Sequence, residues 1–357
     1  MTPPWAHAYA GRRVLLTGHT GFKGGWLAVW LQALGAEVTG YSLPAVEGHT
    51  LFEAARVAEG LRHVEGDIRD LESLRRTWDA ARPEVVFHLA AQAIVRESYR
   101  DPLTTVTTNT LGTTHVLELA RRSPAPVVLV LVTSDKCYEN QEWERGYTED
   151  DQLGGRDVYS GSKAAAEVII SSYRRSFFDG RVRASSARAG NVIGGGDWAV
   201  DRIVPDAITA LMAGRPVTVR HPRAVRPWQH VLEPLSGYLL LGAQLLDPAP
   251  AVHAAAADAW NFGPAVENTR TVGELVEALI TRWGAGAMID GAVHGAPHEA
   301  GLLRLDIAKA AAGLGWRPRW AFDEAVSRTV EWYRAWAAGE EMRAMCLAQI
   351  HDYESAG

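Results

Sequence analysis

Residues 13–24 read Arg13-Val-Leu-Leu-Thr-Gly18-His-Thr-Gly21-Phe-Lys-Gly24. A short apolar run meets glycines at 18, 21 and 24, and apolar residues then recur at helical spacing over 24–34. That pattern predicts a strand, a tight turn and a helix. Glycine there lets the backbone approach a pyrophosphate, which then sits on the positive end of the helix dipole. Packing alone also places glycine at strand–helix joints, but it does not call for three at three-residue steps.

Outward from this turn, short apolar runs at 37–42, 85–89, 127–132 and 183–188 alternate with amphipathic stretches at 71–80, 107–121 and 160–175. Strands alternating with helices mean βαβ units, so the expected fold is α/β, a Rossmann-like doubly wound parallel sheet. After residue 188 the rhythm changes. Residues 189–226 are rich in Gly, Pro and Trp, with one helix expected over 204–212. The run 231–246 reads as a helix returning to the first domain. The block 271–336 holds a helix, a loop and an amphipathic helix. With no clean linker, two interleaved lobes are expected. Residues 1–190 plus about 231–265 form the dinucleotide-binding domain, and about 191–230 plus 266–357 form a smaller substrate-binding lobe.

The chain has 357 residues, 47% of them hydrophobic and 22% charged, with a net charge of −6. Disorder is excluded by this composition, and the charge gives no reason to expect nucleic acid or an anionic membrane as partner. The longest apolar runs, 127–132 and 238–246, are too short to span a bilayer. The first residues, MTPPWAHAYAGRR, lack the apolar stretch of a secretory signal. Cys137 and Cys346 make no disulfide framework, so a reducing cytoplasm is expected. Of the 36 basic residues only Lys23, Lys136, Lys163 and Lys309 are lysines. In so arginine-rich a chain, lysine hints at sites where a shifting pKa is useful.

Tyr159-Ser-Gly-Ser-Lys163 puts a tyrosine and a lysine on one face of a helix start. A phenol is a poor base, but a nearby ammonium favours the phenolate, so the pair can deprotonate a sugar hydroxyl. The apolar run 127–132 ends in Thr133-Ser134-Asp135-Lys136-Cys137-Tyr138, where a parallel strand delivers its functional groups. Near the end of the second strand, Tyr41-Ser42-Leu43 offers no carboxylate for a ribose, so NAD and NADP are not distinguished. Asp67 is placed for an adenine amino group and reads equally well as a helix N-cap.

Together with HLAAQ (88–92), NTLGT (109–113), RAGNVIGGGDW (188–198), DRIVPD (201–206), RPWQHV (226–231) and LRLDIAKAAAGLGWRP (303–318), these motifs span nearly the whole chain. They resemble the extended short-chain dehydrogenases/reductases of the nucleotide-sugar class, and within them the 4,6-dehydratases. Gly194–Trp198 and Ser134-Asp135-Lys136 are the specific part. The resemblance implies a recycled, tightly bound NAD and CDP-glucose as substrate. In the implied reaction Tyr159, with Ser134 and Lys163, takes the 4-hydroxyl proton. Asp135, its pKa raised by burial or a like charge, protonates the departing 6-hydroxyl. Related dTDP-glucose enzymes carry glutamate where this chain has Lys136. Here the lysine is either the C5 base or a charge that stabilises the enolate.

For the cofactor, the resemblance implies Gly18, Thr20, Gly21, Phe22, Lys23 and Gly24 in the turn, with Asp67 and Ile68 at the adenine. Leu89, Ala90, Ala91, Asn109 and Thr133 complete that set with Tyr159 and Lys163. For the substrate it implies Gln92, Ser134, Asn191, Arg202, Ile203, Arg226, His230 and His298. No metal is implied. Relatives pair through helices near 107–121 and 160–175, so a homodimer or homotetramer is expected. A 4-epimerase or reductase on the same scaffold would need no Asp135–Lys136 acid and base, and a non-catalytic scaffold would need none of the set.

Overall fold

The computed structural model describes residues 3–291 and 302–356. At its centre lies a seven-stranded parallel sheet. It contains β1 (Arg13–Thr17), β2 (Glu37–Ser42), β3 (Arg62–Glu65), β4 (Val85–His88), β5 (Val127–Val132), β6 (Val182–Ala189) and a last strand, Ala259–Phe262. From that last strand the order runs β6, β5, β4, β1, β2, β3, so the chain starts in the middle and winds both ways. The reversal falls between β1 and β4, and ligands bind at the carboxyl ends beside such a switch point.

Strand alternation feeds two apolar layers. Val14 and Leu16 of β1 enter one, with Trp26 and Trp30 of α1 (Phe22–Ala33), while Leu15 enters the other with Leu74 and Val116. Both faces of the sheet are therefore covered, which is why β5 reads as an unbroken apolar run, VVLVLV. The helix Leu232–Leu246 does return to β5 and β6 and is buried on nearly every side.

Two elements differ from the sequence reading. The helix expected from 107 starts at Pro102 and passes through a wide turn, Thr107–Leu111, where the Gly112 N–H reaches the Thr107 carbonyl five residues back. A further helix, Met342–Ser355, ends the chain and packs on α1 and on Phe322–Ala337. Sequence reading named no helix there. The chain after residue 190 also holds Ile203–Met212, Val272–Trp283 and short strand pairs such as Val217–Val219 with Met288–Asp290. Among the described residues no helix is long and apolar enough to cross a membrane.

Candidate active site

The glycine turn has the form its sequence demands. Gly18 has φ +81°, and a Cβ there would lie 2.8 Å from the Ala90 nitrogen. A Cβ on Gly24 would lie 2.0 Å from the Gly18 carbonyl oxygen. The Thr17 hydroxyl accepts the N–H groups of Leu89 and Ala90, both at 3.2 Å, and so locks the end of β1 to the end of β4. α1 then starts on Gly21 with no side chain capping it. Its first N–H groups are left for an anion, and the cradle fits a dinucleotide pyrophosphate.

Across the cleft, Ser134 caps a tight turn over Asp135–Cys137. Its hydroxyl donates to Asp135 Oδ1 at 3.0 Å and accepts the Lys136 N–H at 3.2 Å, which fixes the triplet rigidly. A Cβ on Gly190 would come within 2.8 Å of Asp135 Oδ2, so glycine there makes room for the carboxyl group. The helix Val158–Phe177 begins where Asp157 accepts the Ser160 N–H at 2.9 Å, and its first turns present Tyr159 and Lys163.

Burial dominates the electrostatics. It raises the Asp135 pKa, while Lys136, the Ser134 hydroxyl, Lys23 and Arg226 act against it. The shift runs in the direction a proton donor needs. Tyr159 departs from expectation. Burial pushes its phenol up to about 12, and the Ser134 hydroxyl and the Arg202 charge pull it the other way. The charges of Asp135 and Asp157 add to the rise, and a buried anion loses more hydration than one cation restores. Burial also lowers Lys163 to about 8, with Cys137 and Glu167 acting in the opposite direction. Lys23 falls to about 8 for the same reason, aided by Arg202 and Lys163 and opposed by Asp135.

One cleft of about 1530 Å³ gathers these groups. That exceeds the usual ~300–1,000 Å³ of a single-ligand pocket, so it has room for two nucleotides. Among the expected residues lying in described segments, all line the cleft except Asn109 and His230. His230 is wholly buried, its ring edge-on to Trp26 and Trp320, and its Nδ1 accepts the Leu232 N–H. It belongs to the core and is withdrawn as a substrate ligand: an imidazole neighbouring Trp and Pro signals a packed aromatic segment as readily as a pocket. Asn109, in the wide helical turn, braces the Gln92 backbone from behind, accepting its N–H at 2.9 Å and donating to its carbonyl at 3.0 Å. His298 lies outside the described residues. Asp67 is not a helix cap, a role Asp70 takes; it pairs with Arg69 at 2.6 Å. Trp198 and Trp228 do wall the cleft.

Sequence reasoning missed several groups. Asp197 is buried and holds Arg202 at 2.9 Å. Asp201 binds both Arg96 and Arg220 at the cleft wall, at 3.1 and 3.3 Å. Glu167 and Arg188 form an ion pair in the interior at 2.8 Å. The spacing of Glu167, four residues after Lys163 on the same helix, was a signal available in the sequence.

A glycine turn on a doubly wound sheet, facing a Tyr-x-x-x-Lys helix and a Ser-Asp-Lys turn, defines an extended short-chain dehydrogenase/reductase. The family model described as GDP-mannose 4,6 dehydratase matches residues 15–329, and the chain belongs to that family. It is 46% identical over 356 residues, covering 98% of both chains, to a CDP-glucose 4,6-dehydratase of Salmonella typhimurium. A dTDP-glucose 4,6-dehydratase of Streptomyces antibioticus is 33% identical, with 76% of each chain covered. Among solved structures, a dTDP-glucose 4,6-dehydratase from Streptomyces venezuelae with NAD bound superposes with a TM-score of 0.77 at 26% identity, covering 92% of this chain and 99% of that one.

Proposed function

We propose that this chain dehydrates CDP-glucose to CDP-4-keto-6-deoxyglucose with a bound, recycled NAD. The observation that carries the reading is one cleft in which the buried Asp135 and its neighbour Lys136 face Tyr159 and Lys163. An epimerase needs no acid to expel a 6-hydroxyl, and that is what Asp135 supplies. The 46% identity to the Salmonella enzyme supports cytidine as the base.

In this reading the amides of the 18–24 turn hold the cofactor pyrophosphate, and Asp67 and Ile68 border its adenine. A nicotinamide held there would supply reversible hydride chemistry, oxidising C4 and reducing C6 with no outside reductant. Tyr159 takes the proton of the 4-hydroxyl, helped by the Ser134 hydroxyl and the charges of Lys163 and Arg202. The 4-ketone so formed acidifies the C5 proton, which Lys136 accepts and returns to C5 when C6 is reduced. Asp135 donates its proton to the 6-hydroxyl, which leaves as water. Arg202 and Arg226 line the cleft as donors for the substrate diphosphate, with Gln92, Asn191 and Ile203 beside them.

Pairing of two copies through Pro102–Arg122 and Val158–Phe177 fits the exposed Leu103, Val106, Leu111 and Val168 on those helices. Two buried free cysteines suit a reducing cytoplasm.

The test is incubation with CDP-glucose carrying deuterium at C4, with dTDP-, UDP- and GDP-linked hexoses alongside. A product that absorbs in the near ultraviolet after alkali, with deuterium in a new methyl group, is expected from the cytidine substrate. A C4-inverted sugar retaining its 6-hydroxyl would mean epimerisation, and no product from any donor would end the reading.

A further inference from the structure

Beneath the catalytic turn lies a buried polar chain that none of the steps above employs. Glu167 has almost no exposed surface and accepts three hydrogen bonds: from the Thr133 hydroxyl, from Ser186 Oγ at 2.8 Å and from Arg188 Nη2 at 2.8 Å. Arg188 Nη1 donates to the Tyr138 hydroxyl at 2.7 Å and to the Glu149 carbonyl at 3.1 Å. The Tyr138 hydroxyl donates to Asn261 Oδ1 at 2.8 Å. The network thus grips Thr133, just before Ser134-Asp135-Lys136, and Tyr138, just after Cys137. It also sits one helical turn beyond Lys163, within reach for an i, i+4 pair.

We propose that Glu167 is a positioning residue of the active site: it holds the 133–138 turn through Thr133 and Arg188, and it is the counter-charge that keeps Lys163 protonated. The groups around Lys163 single Glu167 out. Besides Glu167, they are Tyr159 one turn earlier on the same helix, Cys137 in the turn, His88 at the end of β4 and Lys23 in the glycine turn. Burial keeps the Tyr159 phenol, the Cys137 thiol and the His88 ring neutral, and Lys23 is a second cation, so Glu167, itself paired with Arg188, is the anion of the group. A lone buried ion pair is weak evidence of function, since such pairs often add little net stability. This pair stands out by its place: one carboxylate, on the helix of Tyr159 and Lys163, ties the end of β5 that leads into Ser134-Asp135-Lys136 to the neighbouring β6.

The role rests on the dehydratase reading, so the test has one arm that needs no turnover. Competitive amine labelling of the full chain, read by mass spectrometry at Lys163 from pH 6 to 10, is expected to give a midpoint near 8 in the parent. In Glu167→Gln the midpoint is expected to fall by one unit or more. In turnover of CDP-glucose the same variant should lose its rate as pH rises, with the alkaline limb moved down by the same amount and much of the rate recovered at pH 6. Thr133→Val keeps the carboxylate and should lower kcat at least tenfold at every pH, with KM within twofold and the Lys163 midpoint unmoved. A parental Lys163 midpoint in Glu167→Gln, or a parental kcat in Thr133→Val, overturns the proposal. If Glu167→Gln does not fold, Thr133→Val decides alone. A parent that turns over no nucleotide sugar overturns the functional reading, while the labelling arm still judges the charge relation.

Discussion

At the scale of single residues, the site depends on what is left out as much as on what is present. Gly190 is the clearest case, since a methyl group there would strike Asp135 Oδ2 at 2.8 Å. The carboxyl is short and held by Ser134, so it cannot swing clear without leaving its place. Gly190→Ala is expected to melt close to the parent and to lose ~10–100-fold in kcat, as sub-ångström misplacement of a catalytic group does. Parental kcat in that variant would show that Asp135 tolerates displacement. Lys136 poses a different question, because it can act as base or as bystander charge. In Lys136→Gln the exchange of the C5 proton with solvent is expected to slow by at least ~100-fold, the usual loss for a general base. Exchange at a near-native rate would remove the base assignment.

At the scale of elements, the segment Gly194–Trp198 is the most constrained. The Gly195 carbonyl accepts from Trp26 Nε1 at 2.9 Å, and the Asp197 carbonyl accepts from the Tyr333 hydroxyl at 2.5 Å. The segment is therefore fastened to both α1 and the helix Phe322–Ala337, and from it Asp197 holds Arg202 at the cleft. A Cβ on Gly195 would lie 2.0 Å from Trp332 Cγ, and that ring is fully buried. Gly195→Ala is expected to cost ~1–3 kcal/mol, the usual range for overpacking, read as a lower denaturant midpoint with unchanged slope. An unshifted midpoint would mean that Trp332 can move, against its packing.

At the scale of the whole molecule, the last helix and the interior of the first domain meet at Glu233. Its carboxylate accepts N–H groups of Arg319 and Trp320 at 3.0 and 2.6 Å and the Tyr353 hydroxyl at 2.7 Å. Burial nevertheless raises its pKa from 4.5 to about 7. The unfolded chain ionises Glu233 near its ordinary pKa and the native chain does not. Stability from this group is thus full below pH 4.5 and is lost as pH climbs through 7. The melting temperature of the parent relative to Glu233→Gln should fall as pH rises from 4 to 8, the comparison cancelling the opposite trend that the buried neutral His19, His88 and His230 give to both proteins. Equal slopes would exclude Glu233 as the source. Assembly is tested at Val168, which is 51% exposed on Val158–Phe177. Val168→Glu is expected to convert a dimer to a monomer by light scattering, and an unchanged mass would place the interface elsewhere.

The sequence by itself determined the doubly wound sheet and the dinucleotide turn, and it named the residues proposed here as the catalytic set. Strand alternation, glycines that admit no side chain and Tyr-x-x-x-Lys spacing are all local constraints, readable within a few residues. It did not show the helix Met342–Ser355, whose buried face (Met342, Cys346, Gln349, Ile350, Tyr353) keeps helical spacing but includes polar residues that weaken the apolar pattern. Nor did it show His230 turned into the core, Asp197 behind Arg202, or Glu167 joined to Arg188. Tertiary structure alone decided those, because burial and pairing are set by which distant segments meet. Burial of the Tyr159 phenol, which raises its pKa, was likewise set by the tertiary structure.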